Sequence, residues 1–140
     1  MNEPAVFSAR FRVPLPAGWF AKESVTILAP DGQANVIVSS EPLDPIVDTE
    51  EYVSTQGELL SREFSGFTQY YLEPRTVFGL PGYLRGFAWT PPDGVEIYQV
   101  QAYASVSGRG FTATATTPAN NAQRFQDDFL AVLDHIELAG

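Results

Sequence analysis

Residues 95–117, VEIYQVQAYASVSGRGFTATATT, contain the clearest structural pattern in the chain. Side chains alternate in character along residues 95–106 and again along residues 111–117, which is the period of a β-strand. Gly108-Arg109-Gly110 separates the two runs, and strands joined by a tight turn are antiparallel. The stretch therefore predicts a long β-hairpin.

The two faces of this hairpin are expected to differ. One face carries small and apolar side chains, on which a helix packs most simply: Val100, Ala102, Ala104, Phe111, Ala113 and Ala115. The other carries neutral side chains that both donate and accept hydrogen bonds: Gln99, Gln101, Tyr103, Thr112, Thr114 and Thr116. An ordinary solvated face also explains this pattern, although such faces usually carry Lys and Glu. A register shift of one residue would exchange the two faces.

The uncharged face is a candidate surface for binding a partly apolar segment of another protein. Its amides and hydroxyls offer partners to polar groups that a lipid environment would leave unpaired. Ile37, from an earlier predicted strand, is expected nearby. The face therefore supplies these candidate contact residues: Gln99, Gln101, Tyr103, Thr112, Thr114, Thr116 and Ile37.

Outside the hairpin, alternation predicts five further strands, at residues 6–13, 24–29, 34–40, 67–72 and 83–89. The fourth of these is expected to continue to residue 78 past a kink at Pro74. Turns are predicted at Asp31-Gly32 and at Gly79-Leu80-Pro81-Gly82.

Two helices are predicted, at residues 48–64 and 119–136, because apolar residues recur there at spacings of three and four. Asp48 and Glu51 match a capping box, and Thr117-Pro118 fits the start of the second helix. The order of elements predicts an α+β domain, in which a curved antiparallel sheet of six to seven strands carries two helices. Two helices cannot cover both faces of such a sheet, so part of one face should stay open.

The composition predicts a single folded domain spanning residues 1–140. Apolar residues make up 44% of the chain and charged residues 18%, which is unlike a disordered protein. The chain has no cysteine and one histidine, which excludes thiolate chemistry and multi-histidine metal sites. Eight basic against seventeen acidic side chains argue against nucleic acid and anionic membranes as partners. No metal or cofactor is expected.

No catalytic constellation is found in the sequence, so we expect no enzymatic activity. His135 lies near the end of the last predicted helix, where its charge favours the helix dipole. Asp127 and Asp128 are adjacent and point about 100° apart on a helix, so they form no carboxylate pair.

Residues 1–20 lack the basic start and apolar core of a signal peptide. No run approaches the roughly 18 apolar residues that span a membrane. If Met1 is the true start, the protein is expected in the cytoplasm without a membrane anchor, although a chain whose leader had been removed would look the same.

A series of short motifs, taken in their fixed order, resembles a known family. They are Phe11-x-Val13-Pro14-x-Pro16-x-Gly18-Trp19, the run NVIVSS at residues 35–40, Glu51-Tyr52-Val53-x-x-Gln56, Phe64-x-Gly66-Phe67, Val77-x-Gly79-x-Pro81-Gly82, Phe87-x-Trp89, Gln99-x-Gln101 and Thr114-x-Thr116-Thr117-Pro118. The pattern resembles the DcrB-related family of the Mog/PsbP-like fold. Within that family it is similar to the Eag-type chaperones of type VI secretion effectors, which are bacterial proteins.

This resemblance implies an antiparallel sheet flanked by helices, no enzymatic activity, and a homodimer. It further implies that the concave sheet holds transmembrane helices of an effector protein before export. Gln99 and Gln101 match the strand glutamines of the family, and Gln56 is the next candidate. The chain is thus expected to be a chaperone or adaptor for apolar helices of an effector. The alternative is a structural or regulatory module that binds a folded partner through a loop or an edge strand.

Overall fold

The computed structural model describes residues 5–7 and 10–139. These residues form eight strands and two helices in the following order: β1 (Ala5–Phe7), β2 (Arg12–Pro14), β3 (Glu23–Leu28), β4 (Asn35–Pro42), α1 (Thr49–Glu63), β5 (Thr68–Val77), β6 (Leu80–Trp89), β7 (Ile97–Val106), β8 (Arg109–Pro118) and α2 (Ala122–Leu133). A 3-10 turn at Ala119–Asn121 precedes α2. The predicted α+β class is confirmed.

Six of these strands form one antiparallel sheet in the order β3-β4-β8-β7-β6-β5. The predicted hairpin of β7 and β8 lies near its centre, with Gln99 opposite Thr116 and Gln101 opposite Thr114. The next strand is β4, which places Ile37 opposite Thr114. The pairing of β4 with β8 thus brings together candidate residues that are distant in the sequence.

The predicted strand at residues 6–13 is wrong for the described residues. Instead, β1 and β2 pair with each other as a separate antiparallel ribbon, with Val6 opposite Val13. Alternation along the chain is the same for one long strand and for two short strands that fold back on each other. Ser8 and Ala9, which the prediction included, lie outside the described residues.

The hairpin turns fall one or two residues before the predicted ones. Phe78 and Gly79 both have positive φ, and so do Ser107 and Gly108, as expected for two-residue turns that match the strand twist. Leu80 already belongs to β6. The strand β5 continues through Pro74, which is tolerated because β5 is an edge strand.

Both predicted helices are present, and their ends differ slightly from the prediction. Asp48 caps α1 as expected, because its Oδ1 accepts a hydrogen bond of 2.8 Å from the N–H of Glu51. The helix α2 begins at Ala122, after the 3-10 turn, and ends at Leu133 rather than at residue 136.

The helix α2 packs on the small and apolar face of the sheet, as predicted. The main core cluster joins residues of this helix to residues of the central strands: Phe125, Phe129, Leu133, Val36, Val100, Ala102, Ala113 and Ala115. Alanine at these sheet positions lets the helix come close to the backbone. This face of the central strands is therefore core.

The helix α1 crosses the opposite face of the sheet diagonally. At its start, the hydroxyls of Thr49 and Ser105 lie 2.9 Å apart, and the Tyr52 hydroxyl lies 2.7 Å from that of Thr112. Beyond its end, the Phe64 ring stacks on Trp89 with centroids 3.8 Å apart. The helix thus covers β6 and much of β7, and β3, β4 and part of β8 keep no helix on this side.

The close approach of Tyr52 to Gly110 generates a prediction about stability. A Cβ atom added to Gly110 would lie 2.7 Å from Cζ of Tyr52. We expect Gly110→Ala to lower the free energy of unfolding by about 1–3 kcal/mol, as overpacking typically does. In a Tyr52→Leu background the same change should have little further effect. Urea unfolding of the unmodified protein, the two single variants and the double variant measures both effects. An equal loss of unfolding free energy in the two backgrounds would contradict the contact between Tyr52 and Gly110.

Candidate functional site

Five candidate residues lie together on the part of the sheet that α1 leaves uncovered. We call this surface the open strip, and it consists of Ile37, Gln99, Gln101, Thr114 and Thr116. Ile37 is 42% exposed, and the other four side chains are half-buried. Because none of the five is charged, the strip is a neutral surface on a protein whose net charge is −9.

Gln99 is held from both sides by neighbouring strands. The indole N–H of Trp89 donates a hydrogen bond of 2.8 Å to its Oε1, and its Nε2 donates one of 2.8 Å to the hydroxyl of Thr116. Trp89 is itself stacked against Phe64. The amide of Gln99 therefore has a fixed position and orientation.

Gln101 is held in the same manner by a longer chain of contacts. Nη1 of Arg85 donates to the Tyr103 hydroxyl at 2.9 Å, and that hydroxyl donates to Oε1 of Gln101. Nε2 of Gln101 donates to the Thr114 hydroxyl at 3.1 Å. Both glutamines thus direct their nitrogen towards a threonine of β8.

Tyr103 is wrongly predicted as a contact residue. It is fully buried, beneath α1 and edge-on to the Tyr52 ring at 6.4 Å. Burial raises the pKa of its hydroxyl, with Arg85 acting in the opposite direction. Alternation correctly assigned Tyr103 to the polar face, but it does not tell which part of that face a helix covers.

Of the remaining two candidates, Thr112 lies on β8 next to the open strip and Gln56 lies on α1. Thr112 is half-buried and its hydroxyl is held by Tyr52. Burial raises the pKa of Tyr52 to about 12, with the nearby Glu41 carboxylate acting in the same direction, so its hydroxyl stays protonated and donates to Glu41. Gln56 is half-buried one helical turn after Tyr52, so we place it along α1 on the side nearer β8.

Sequence reasoning missed Arg85, which is only 2% exposed. Besides Tyr103, its guanidinium donates to Oε1 of Gln69 at 3.0 Å and to the backbone carbonyl of Val53 in α1 at 3.2 Å. All three acceptors are neutral. Gly57 gives it room, because a Cβ there would lie 2.6 Å from Nη2. The sequence did contain a signal: Arg85 alternates with aromatic residues along β6, which places it on the same face of the sheet as Tyr83 and Phe87.

Across residues 5–7 and 10–139, no group of three or more metal-binding side chains is placed to hold an ion. No helix in the described part of the chain is long and apolar enough to cross a membrane. The arrangement of the open strip is suited to hydrogen bonding and apolar contact with another molecule.

Comparisons with known proteins give a family and a set of similar folds. A family model described as DcrB matches residues 12–135. A search of curated proteins found no match.

The structure of PA94, a protein of unknown function and suggested regulator from Pseudomonas aeruginosa, is similar with a TM-score of 0.77. The two chains are 14% identical, and the similarity covers 100% of this chain and 99% of PA94. LpqN, involved in cell envelope biogenesis of Mycobacterium tuberculosis, has a TM-score of 0.55 at 17% identity, covering 86% of this chain and 78% of LpqN.

Cyanobacterial PsbP (CyanoP) from Synechocystis sp. PCC 6803 has a TM-score of 0.51 at 12% identity, covering 79% of each chain. At these identities the similarities establish the fold alone. They confirm the predicted PsbP-like architecture.

Arg85 supports a prediction about the packing of α1. We expect Arg85→Met to lower the free energy of unfolding by about 2–3 kcal/mol, because it removes three hydrogen bonds from a buried site. Arg62→Met is the matched control, since Arg62 is exposed in the last turn of α1 and should change stability by less than about 0.5 kcal/mol. Urea unfolding followed by tryptophan fluorescence measures both variants. If Arg85→Met were as stable as Arg62→Met, Arg85 would not stabilise the packing of α1.

Proposed function

The chain belongs to the DcrB family, and we propose that it is a non-enzymatic adaptor whose open strip binds an apolar helical segment of a client protein. The supporting observation is the neutral, partly apolar surface that α1 leaves uncovered on an otherwise acidic protein. A mostly apolar segment gains little from a charged surface. Its isolated polar groups, however, need hydrogen-bond partners when they leave water.

The dimensions of the uncovered area suit a single helix. It extends from β8, beside the half-buried glutamines of β7, across β4 to the edge strand β3. Three strands span roughly 10 Å, and a helix with its side chains is about 10 Å across. A client helix therefore fits between α1 and the β3 edge, above Ile37 and the two threonines.

We propose that the client is an effector protein and that binding takes place in the cytoplasm, before the effector is exported. This part of the proposal rests on the resemblance of the sequence motifs to Eag-type chaperones. An acidic exterior would keep the complex soluble while the apolar helix is shielded.

We also propose that two copies of the chain associate through β3. Among the residues that the structure describes, this edge strand pairs with β4 alone, and all six of its residues are exposed. Val25 and Ile27 point to one face and Leu28 to the other. An exposed apolar edge strand is a template for pairing with another strand, and a second β3 would extend the sheet beside the open strip.

The exposed β3 edge also favours a second function, which is the binding of a folded partner. Trp19 and Phe20, just before β3, are 71% and 69% exposed. A structural or regulatory module that binds a folded partner would use these side chains and the β3 edge. Its binding would be insensitive to substitutions in the open strip.

The paired substitution Gln99→Glu and Gln101→Glu tests the first function. A carboxylate can still accept from Trp89 and Tyr103, and the threonine hydroxyls can rotate to donate, so the fold should persist. We expect two negative charges in the half-buried open strip to abolish binding of a partner with an apolar helical segment, because the segment would remove these charges from water. The measurement is co-purification of tagged protein from its native cells, with the partner identified by mass spectrometry.

The matched control is Gln33→Glu with Gln123→Glu, which adds the same charge at exposed positions away from the strip. It should retain the partner. If the strip variant also retains it, the strip is not the binding surface, and loss through Trp19→Ser or Phe20→Ser instead would favour the second function.

The paired substitution Val25→Lys and Ile27→Lys tests the dimer. Lysine at an edge strand disfavours pairing with a second strand, so sedimentation equilibrium should give a dimer for the unmodified protein and a monomer for the variant. Ile46→Lys, at a residue 85% exposed in the segment between β4 and α1, should remain dimeric. A monomeric unmodified protein, or a dimeric variant, would contradict the proposed interface.

A further inference from the structure

The first part of the chain, residues 5–22, leaves large apolar side chains exposed. We call these residues the N-terminal arm. The arm contains the ribbon of β1 and β2, which is a separate sheet from the main one. Phe7, Val13, Trp19 and Phe20 are each at least half exposed. A two-stranded ribbon is at best marginally stable in water unless it packs against another element, so the arm needs a surface to pack on.

The arm also differs from the rest of the chain in charge. Residues 5–22 contain three basic and no acidic side chains, whereas residues 23–140 contain five basic and sixteen acidic ones. Opposite charge attracts the arm to the rest of the fold, either in its own chain or in another copy of the chain.

A cavity of about 200 Å³ lies between the end of β3 and the helix α2. Apolar side chains from both elements line it, among them Ile27, Phe129 and Val132, and Asp128 adds a carboxylate. An apolar cavity of about 150 Å³ can hold a benzene ring, so this one has room for an aromatic side chain. None of the arm residues that the structure describes lines the cavity.

The arm is attached at the wrong end of β3 to fill the cavity of its own chain. The strand begins at Glu23, and the cavity is lined by residues 27–30, at the other end of β3 and just beyond it. Five residues of strand, from Glu23 to Leu28, extend about 17 Å. The four residues from Trp19 to Glu23 span at most roughly 14 Å, and part of that length would be used in turning back. Trp19 therefore does not reach its own cavity.

A second copy of the chain offers the same cavity at the right end. In the dimer proposed above, β3 of one copy pairs with β3 of the other. A two-fold axis makes two such neighbouring strands antiparallel, so each β3 begins beside the end of its partner. Trp19 of one copy then lies next to residues 27–30 of the other copy, where the cavity is.

We infer that Trp19 of each copy inserts into the cavity between β3 and α2 of the other copy, so that the dimer exchanges its N-terminal arms. This inference rests on the proposed dimer and adds a cavity contact to the pairing of the two edge strands. The indole packs against Phe129 and Val132 of the second copy, and the basic arm lies beside its Asp128. The contact occurs twice, because a two-fold axis makes the exchange reciprocal.

Tryptophan fluorescence tests the burial of Trp19. The chain has two tryptophans, so in Trp89→Phe the emission comes from Trp19 alone. Sedimentation equilibrium finds the concentrations at which the protein is a dimer or a monomer. We expect the dimer to emit at shorter wavelength and to be quenched less by acrylamide than the monomer, in which Trp19 is exposed. For the protein with both tryptophans, ¹⁹F NMR after 5-fluorotryptophan labelling gives the same comparison.

Truncation of the indole tests its contribution to the dimer. Trp19→Ser should raise the dissociation constant of the dimer by at least about 30-fold, the usual lower limit for removing an aromatic side chain that dominates an interface. Ile46→Ser is the matched control, because Ile46 is also exposed and apolar but lies between β4 and α1. It should leave the dissociation constant unchanged.

Crosslinking tests whether the contact joins two copies. Because the chain has no cysteine, a single cysteine can be introduced into each of two separately purified proteins. We expect Ala17→Cys in one protein and Asp128→Cys in a tagged second protein to form a mixed product with a short bis-maleimide. Asp93→Cys, in the exposed loop between β6 and β7, replaces Asp128→Cys in the control and should give none.

The outcomes separate the inference from the dimer on which it rests. A dimer in which Trp19 is as exposed as in the monomer, or in which Asp128→Cys gives no more mixed product than Asp93→Cys, would overturn the exchange of arms and leave the dimer standing. A protein that is monomeric at every concentration would overturn both.

Discussion

The buried guanidinium of Arg85 is the constraint on which the rest of the structure depends. It is removed from water with no carboxylate partner in the described part of the chain, so its hydrogen bonds go to neutral acceptors, including the backbone of α1 at Val53. The hydrogen bond from Arg85 to the Val53 carbonyl holds α1 over β6 and β7. Gly57 permits this close approach, because a side chain there would collide with the guanidinium. Because α1 is held there, no helix covers this face of β4 or the part of β8 that carries Thr114 and Thr116. The same guanidinium orients Tyr103 and, through it, Gln101. A residue buried beneath α1 therefore fixes the orientation of a side chain in the open strip.

Much of this architecture follows from the sequence, because side-chain periodicity reports which face each residue occupies. The central hairpin, the apolar face under α2 and the Asp48 cap were all predicted in this way. Periodicity does not report long-range placement. Tyr103 was therefore assigned to the correct face but not recognised as buried, and Arg85 was missed because its partners come from β5, β7 and α1. The chain reversal between β1 and β2 leaves the alternation unchanged, so it too was invisible.

The structural comparisons place the backbone among proteins whose descriptions range from a suggested regulator to a participant in envelope biogenesis. One fold thus serves proteins described in different terms, and function must be argued from the side chains each chain places on it. In this chain those side chains are few: two oriented glutamines, two threonines and Ile37, next to an exposed apolar edge.

The central claim is that a client helix lies on the open strip, and site-specific photo-crosslinking tests it most directly. A photoreactive phenylalanine replaces Ile37, the exposed apolar residue of the strip, and in a separate protein it replaces Ile46, which is more exposed but lies outside the strip. After irradiation in native cells, mass spectrometry identifies the crosslinked peptides. The account predicts that position 37 crosslinks to an apolar helical segment of one partner and that position 46 does not. Crosslinks at position 37 only to water-soluble, folded surfaces, or none at all, would contradict it.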